Sequence, residues 1–242
     1  MGTSKKRILN IASTKKRDNM PLFDADNPTL NYFAMSRGTS SYLFCPTYRD
    51  KELEAATESD RNRSTVYMKG YAETVHLGPS TGNSWKWRRI VFETKNSHPA
   101  LSDVSAETSS GYKRLWKNQT EAQRNTLAGT LFEGTQTTDQ STYFTAKADR
   151  TRARIISDQT HILRNGNDVA YEKDYRKYYS FERNLVYDDD ENGATETTSG
   201  WAADSRSGMG DVFIWDIFID IGAPEGAALT VRSHSTLYWH EK

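Results

Sequence analysis

Val212 to Ile221 reads VFIWDIFIDI, and its alternation decides the fold class. Phe213, Trp215, Ile217, Ile219 and Ile221 fall on one side of an extended chain. Val212, Ile214, Asp216, Phe218 and Asp220 fall on the other. Successive side chains of a strand point to opposite faces, so the wholly apolar set is predicted to line a core. Asp216 and Asp220 make the run too charged, and its length makes it too short, to cross a bilayer as a helix.

Similar runs recur outward from this one. Thr65–Leu77 (TVYMKGYAETVHL) and Trp85–Thr94 (WKWRRIVFET) alternate. In the second, Trp85, Trp87, Arg89 and Val91 share a face, and Lys86, Arg88, Ile90 and Phe92 share the other. Arg154–Leu163 reads as a strand running into an Asn165-Gly166 turn, a pair tolerant of positive φ. Leu229–Trp239 places Leu229, Val231, Leu237 and Trp239 together. One stretch, Thr120–Phe132, reads as helix, with Thr120 and Gln123 at capping-box spacing. The segments Ser97–Ser110 and Val169–Phe181 read as long connections. The pattern predicts an all-β chain: an antiparallel sandwich of roughly eight strands with long loops and at most one or two short helices, the long loops favouring a jelly roll over an immunoglobulin-like sandwich. The expected layout is a basic N-terminal segment over residues 1–20, leading into the first strand, and a single domain over 21–242.

Composition narrows the function. The 242 residues hold one cysteine, Cys45, so no intrachain disulfide forms, which fits a reducing compartment. Met1–Ala12 has no apolar stretch of the kind a secretory signal needs. The formal net charge is zero but unevenly spread. Residues 1–50 and 51–185 each carry +4, whereas residues 186–242 carry −8. A basic front and an acidic back fit a polyanion partner, or head-to-tail contacts between copies.

Two basic clusters, Lys5-Lys6-Arg7 and Lys15-Lys16-Arg17, fall in a 17-residue stretch without an acid. They are candidates for nucleic-acid binding and nuclear import; the plain alternative is a solvated terminus. Six phosphate contacts on a single strand give a salt slope near −4, at about 0.7 per charge. Lys86 and Arg88 join the candidates, because period 2 puts both tryptophans on the opposite, core-facing side. The run Asp188-Asp189-Asp190-Glu191, followed by Asn192-Gly193, admits three readings: a solvated turn, a contact with a basic neighbour, or a calcium site. Calcium needs six to eight converging oxygens, which adjacent strand-like acids supply poorly, so no cofactor is expected. The five histidines show no metal spacing, and no nucleophile elbow, phosphate loop or dinucleotide fingerprint is present, so no enzyme is expected. A carbohydrate-binding jelly roll with exposed tryptophan platforms is the alternative function.

Several stretches, in this order, make the chain resemble the capsid proteins of genomoviruses, the gemycircularvirus-like viruses with circular single-stranded DNA. They include KKRILNIASTKKRDNM (Lys5–Met20), LFCPTYRD (Leu43–Asp50), WKWRRIVF (Trp85–Phe92) and SGYKRLWKN (Ser110–Asn118). LFEGT (Leu131–Thr135), FTAKAD (Phe144–Asp149), NGND (Asn165–Asp168), NLVYDDDENG (Asn184–Gly193), GMGD (Gly208–Asp211) and TLYWHEK (Thr236–Lys242) follow. The resemblance implies an eight-stranded antiparallel jelly roll that assembles into a T=1 icosahedral shell of identical copies around a circular single-stranded DNA genome. It implies a virion protein, present in host cytoplasm and nucleus during assembly, with nuclear import machinery as a further partner, no membrane and no catalysis. Members of that family carry a longer Arg-rich arm; here Met1–Ser4 precede Lys5. In such a shell, Asp188–Glu191 are expected at or near a contact between subunits.

Overall fold

Each of the two sheets takes its strands from distant parts of the chain. The structure, a computed structural model, describes residues 13–52, 57–80, 82–95, 104–135, 138–164, 169–193, 195–204, 206–222 and 225–242. Its strands are β1 (Thr14–Asp24), β2 (Phe33–Ser36), β3 (Thr39–Phe44), β4 (Thr65–Pro79), β5 (Ser84–Thr94), β6 (Ala106–Thr108) and β7 (Gly111–Trp116). After helix α1 (Glu121–Leu131) come β8 (Arg154–Leu163), β9 (Lys173–Val186), the short pair β10 (Asp190–Asn192) and β11 (Thr195–Thr197), then β12 (Asp211–Ile221) and β13 (Ala228–Glu241).

The larger sheet runs β6-β7-β1-β13-β4-β9, with β2 also on β13; the smaller runs β3-β12-β5-β8. Eight long strands carry the sandwich: β1, β13, β4 and β9 in one sheet, β3, β12, β5 and β8 in the other. Numbered one to eight along the chain, they lie in the orders 1-8-3-6 and 2-7-4-5 with antiparallel neighbours. This interleaving of two Greek keys is a jelly roll.

Alternation explains which residues fill the space between the sheets. Met20, Val66, Met68, Tyr71, Val91, Val212, Ile214, Leu237 and Trp239 are buried together, and Trp85, Trp87, Trp116, Phe218, Leu229 and Val231 form the neighbouring cluster. At the centre sit four charges. Glu73 (β4), Arg114 (β7), Arg89 (β5) and Asp216 (β12) are each at most 1% exposed, and each arginine bonds both carboxylates. Two positive and two negative groups cancel there, which makes their burial tolerable.

The wholly apolar face of β12 does not line the space between the sheets. Phe213, Trp215 and Ile217 point to the opposite side, where Leu127, Ala128 and Leu131 of α1 cover them with Phe132, Ala146 and Ala148. The face bearing Asp216 is the one inside the sandwich. Ile221 lies beyond the cover and is 49% exposed. α1 forms where expected: Thr120 caps it and pairs reciprocally with Gln123. Its two buried leucines contribute roughly 1.5–3 kcal/mol each.

Two expectations change. Most of Val169–Phe181 is strand, because β9 starts at Lys173. Its inward positions include Tyr175, Tyr179 and Phe181, but the charged residues between them mask the alternation. Residues 106–108 of the other expected connection form β6. The Asn165-Gly166 turn and the Lys5-Lys6-Arg7 cluster lie outside the described residues.

Candidate nucleic-acid interface

The larger sheet leaves part of its outer face uncovered. Cross-strand register assembles two rows there. Lys15 pairs with His240, His240 with Tyr67, and Tyr67 with Asn184; Arg17 pairs with Tyr238, and Tyr238 with Gly70. All of these strands expose alternate residues, so Lys15, Arg17, Tyr238, His240 and Tyr67 stand on one side of the sheet. Lys69, two residues from Tyr67, stands on that surface, where its ammonium meets Glu182 at 2.6 Å, and a bulge between Met68 and Gly70 turns Gly70 to the same side. Glu182 has φ of 50°, in the left-handed region. Gly70 makes room for Tyr178: a Cβ there would lie 2.7 Å from the Tyr178 hydroxyl. The Tyr178 side chain thereby lies across the sheet with 55% of its surface exposed.

The result is a pair of adjoining depressions of about 460 and 730 Å³ that share Lys69 and His240. Lys15, Arg17, Arg63, Lys69 and Lys242 line them against Glu58 and Glu182, and Tyr67, Tyr178 and Tyr238 supply rings. Cations that track a phosphate backbone, beside rings on which bases stack, are the parts of a single-strand groove. The exposed pairs Lys69–Glu182 and Arg17–Glu58 (3.5 Å) hold these cations only weakly. Partial burial, then the charges of Lys15 and Lys69, depress the His240 pKa. A bound phosphate would oppose both neighbouring charges and favour the imidazolium.

Two candidates from the sequence, Lys16 and Arg88, are corrected, and a third, Lys86, stands away from the groove. Lys16 points inward from β1: it is buried, its ammonium donates to Asp60 O at 2.7 Å and to Asn62 Oδ1, and it lies 3.5 Å from Glu241. Because β1 begins at Thr14, Lys15-Lys16-Arg17 belongs to a strand, and alternation gives its three cations two different fates. Arg88 is also buried. It grips Asp158 with two bonds of 2.9 and 2.7 Å and donates to the carbonyls of Tyr143 and Ala146. Lys86 is half-buried with its ammonium 5.0 Å from the Phe144 ring centre. Both lie on the α1 side of the smaller sheet, across the sandwich from the groove.

The acid run divides in the same way. Asp189 is internal: it takes two bonds from Arg61, at 2.6 and 3.0 Å, and one from the Ser199 N–H. Burial opposes its charge, but Arg61 and the Ser199 N–H outweigh that and hold the carboxyl below its ordinary pKa. Arg61 in turn lies over the Tyr187 ring at 3.8 Å and bonds the carbonyls of Arg49, Arg63 and Ser199. Asp188 and Asp190 are exposed, and Glu191 pairs through its backbone in the β10–β11 hairpin.

The sequence reading missed Tyr67, Lys69, Tyr178, Tyr238, His240, Arg63 and Lys242. The even spacing of Tyr67 and Lys69, and of Tyr238 and His240, was a visible signal; the bulge that opens room at Gly70 for Tyr178 was not. The exposed tryptophans that the glycan-binding alternative needs are not found among the described residues: Trp85, Trp87, Trp116, Trp215 and Trp239 are under 2% exposed, and Trp201 is half-buried against Tyr48.

No family model and no curated protein matches the chain. Among solved structures, the VP1 protein of Trichodysplasia spinulosa-associated polyomavirus in complex with 3'-sialyllactose aligns at 8% identity with a TM-score of 0.12, covering 94% of this chain and 77% of that one. The same VP1 without a named ligand aligns at 6% identity with a TM-score of 0.11. Overlaps this weak carry no argument, and the jelly-roll assignment rests on strand order.

Proposed function

We propose that this chain is a viral coat protein that assembles with copies of itself into a T=1 shell and packages circular single-stranded DNA. The observation that carries the reading is the open face of a jelly-roll sheet bearing Lys15, Arg17, Lys69 and His240 beside Tyr67, Tyr178 and Tyr238. The ordered run of stretches resembling genomovirus capsid proteins supports it. In this reading the groove takes phosphates and bases without regard to sequence, and the chain performs no catalytic step. The virion, and the host cytoplasm and nucleus before it, are where the protein works. The glycan-binding alternative is weakened by the burial of the tryptophans it relied on.

The test is sedimentation and electron microscopy of the purified chain with and without circular single-stranded DNA, combined with binding measured across a salt series. Uniform closed particles are expected. Replacing Lys15, Arg17 and Lys69 together by Ala is expected to flatten the slope of log affinity against log salt by about 2, at roughly 0.7 per phosphate contact. Lys16→Ala is expected to lower stability and leave that slope unchanged. A chain that stays a salt-indifferent monomer or small oligomer refutes the proposal.

A further inference from the structure

A second cationic surface lies at the end of the sandwich where β5 and β9 finish and β8 begins. Lys95, Arg150, Arg152, Arg154 and Arg183 surround a cleft of about 420 Å³. Glu93 stands within it but is saturated. Arg154 donates to it at 2.8 Å, Arg183 at 2.7 and 2.8 Å, and the Gly210 N–H at 3.0 Å. Arg152 is turned partly to Asp149, at 3.1 Å, and Lys95 donates to the Arg206 carbonyl. Arg150 is exposed and has no ion pair with a described residue. Five cations against two carboxylates leave an excess of positive charge. The guanidinium side chains of Arg152, Arg154 and Arg183 remain 49%, 56% and 38% exposed, with donors to spare. Forked donors in this number suit carboxylate or phosphate oxygens.

The chain carries a matching group. Asp188 and Asp190 are exposed and have no ion pair with a described residue. They flank Asp189, whose bonds to Arg61 and Ser199 anchor the hairpin, and the Asp188 N–H donates to Trp201 O at 2.9 Å. The carboxylates are thus presented on a held turn, which lowers the entropy lost on docking. Among the described residues, no cation of the cleft pairs with them within the chain.

We infer that the arginine cleft receives the Asp188–Asp190 turn of a second copy. The inference rests on the coat-protein reading and names one contact through which the copies meet. Donor and acceptor are different patches of one chain, so the contact is heterologous and propagates into a ring where the rotation closes.

The experiment is a charge swap read by sedimentation of nuclease-treated protein at physiological salt, over a concentration series. Arg150→Asp and Asp190→Arg are both at exposed positions, and retained thermal unfolding confirms folding of each. Each alone is expected to raise the concentration for half-assembly on the order of tenfold or more, through like-charge opposition. The double variant is expected to return to within about threefold of the unaltered chain. Single variants that assemble normally, or a swap no better than the worse single, overturn the inference while leaving the coat-protein reading intact. Loss of DNA affinity in Arg150→Asp with assembly unchanged also overturns it, assigning the cleft to nucleic acid. An unaltered chain that assembles neither in this form nor after circular single-stranded DNA is added refutes both.

Discussion

Removing one carboxylate from the centre of the sandwich tests how the two sheets are held in register. Asp216 accepts four bonds: from Trp87 Nε1 at 2.8 Å, Arg89 Nε and Nη2 at 2.7 and 2.9 Å, and Arg114 Nη2 at 2.7 Å. Asp216→Ala leaves two fully buried guanidinium groups facing Glu73 alone, and an indole N–H without a partner. Breaking a buried ion pair costs about 3–5 kcal/mol, and the orphaned indole about 1 kcal/mol or more. The expected loss is therefore roughly 5 kcal/mol, against a typical total stability of about 5–15 kcal/mol. Urea unfolding followed by tryptophan fluorescence measures it, since five tryptophans are buried. The midpoint should fall with the slope unchanged. Replacing the whole quartet by apolar residues (Glu73→Leu, Arg89→Met, Arg114→Met, Asp216→Leu) should cost far less than the single change, because no charge is left unpaired. A single-variant loss below about 1 kcal/mol, or a quadruple variant worse than the single, would refute the claim that the charges compensate one another.

The acid run offers a sharper contrast within three adjacent residues. Asp189→Ala should lower stability by about 3–5 kcal/mol by stranding Arg61, whereas Asp188→Ala and Asp190→Ala should each stay within about 0.5 kcal/mol; thermal unfolding of the three variants that gave equal shifts would contradict this. Asp211 is expected to impose a pH dependence of its own. Burial raises its pKa to about 7, although the Ala202 N–H and the Thr47 hydroxyl bond it. The folded chain then holds a proton that the unfolded chain has lost between about pH 4 and 7. Stability from this group is complete below about pH 4 and declines as pH rises to about 7, by up to about 4 kcal/mol. Asp211→Asn should flatten the stability profile between about pH 4 and 7, and an unchanged profile would show that another group is responsible.

The local readings that held are those in which neighbouring residues contain all the information. Thr120 and Gln123 cap α1 through a contact three residues long. The alternation of β13 puts Leu229, Val231, Leu237 and Trp239 on one buried face, as its pattern requires. Alternation along β1 separates Lys15 from Lys16, whereas the density of charge led all three cations of the cluster to be read together as one basic segment.

What the sequence by itself determined was the presence of most long strands, the position of the helix and the pairing of residues on each face. Only the tertiary structure decided what covers each face. In β12 and β5 both faces are buried, one by the opposite sheet and one by α1 and the chain around Phe132 to Ala148, so an apolar face could not be equated with the inside of the sandwich. Arg88 looked exposed until that cover was in place. Asp189 looked like its neighbours until Arg61, 128 residues away in sequence, closed on it. The physical reason is common to all three. Alternation is a property of one strand, whereas burial and charge compensation depend on groups that folding brings from elsewhere in the chain.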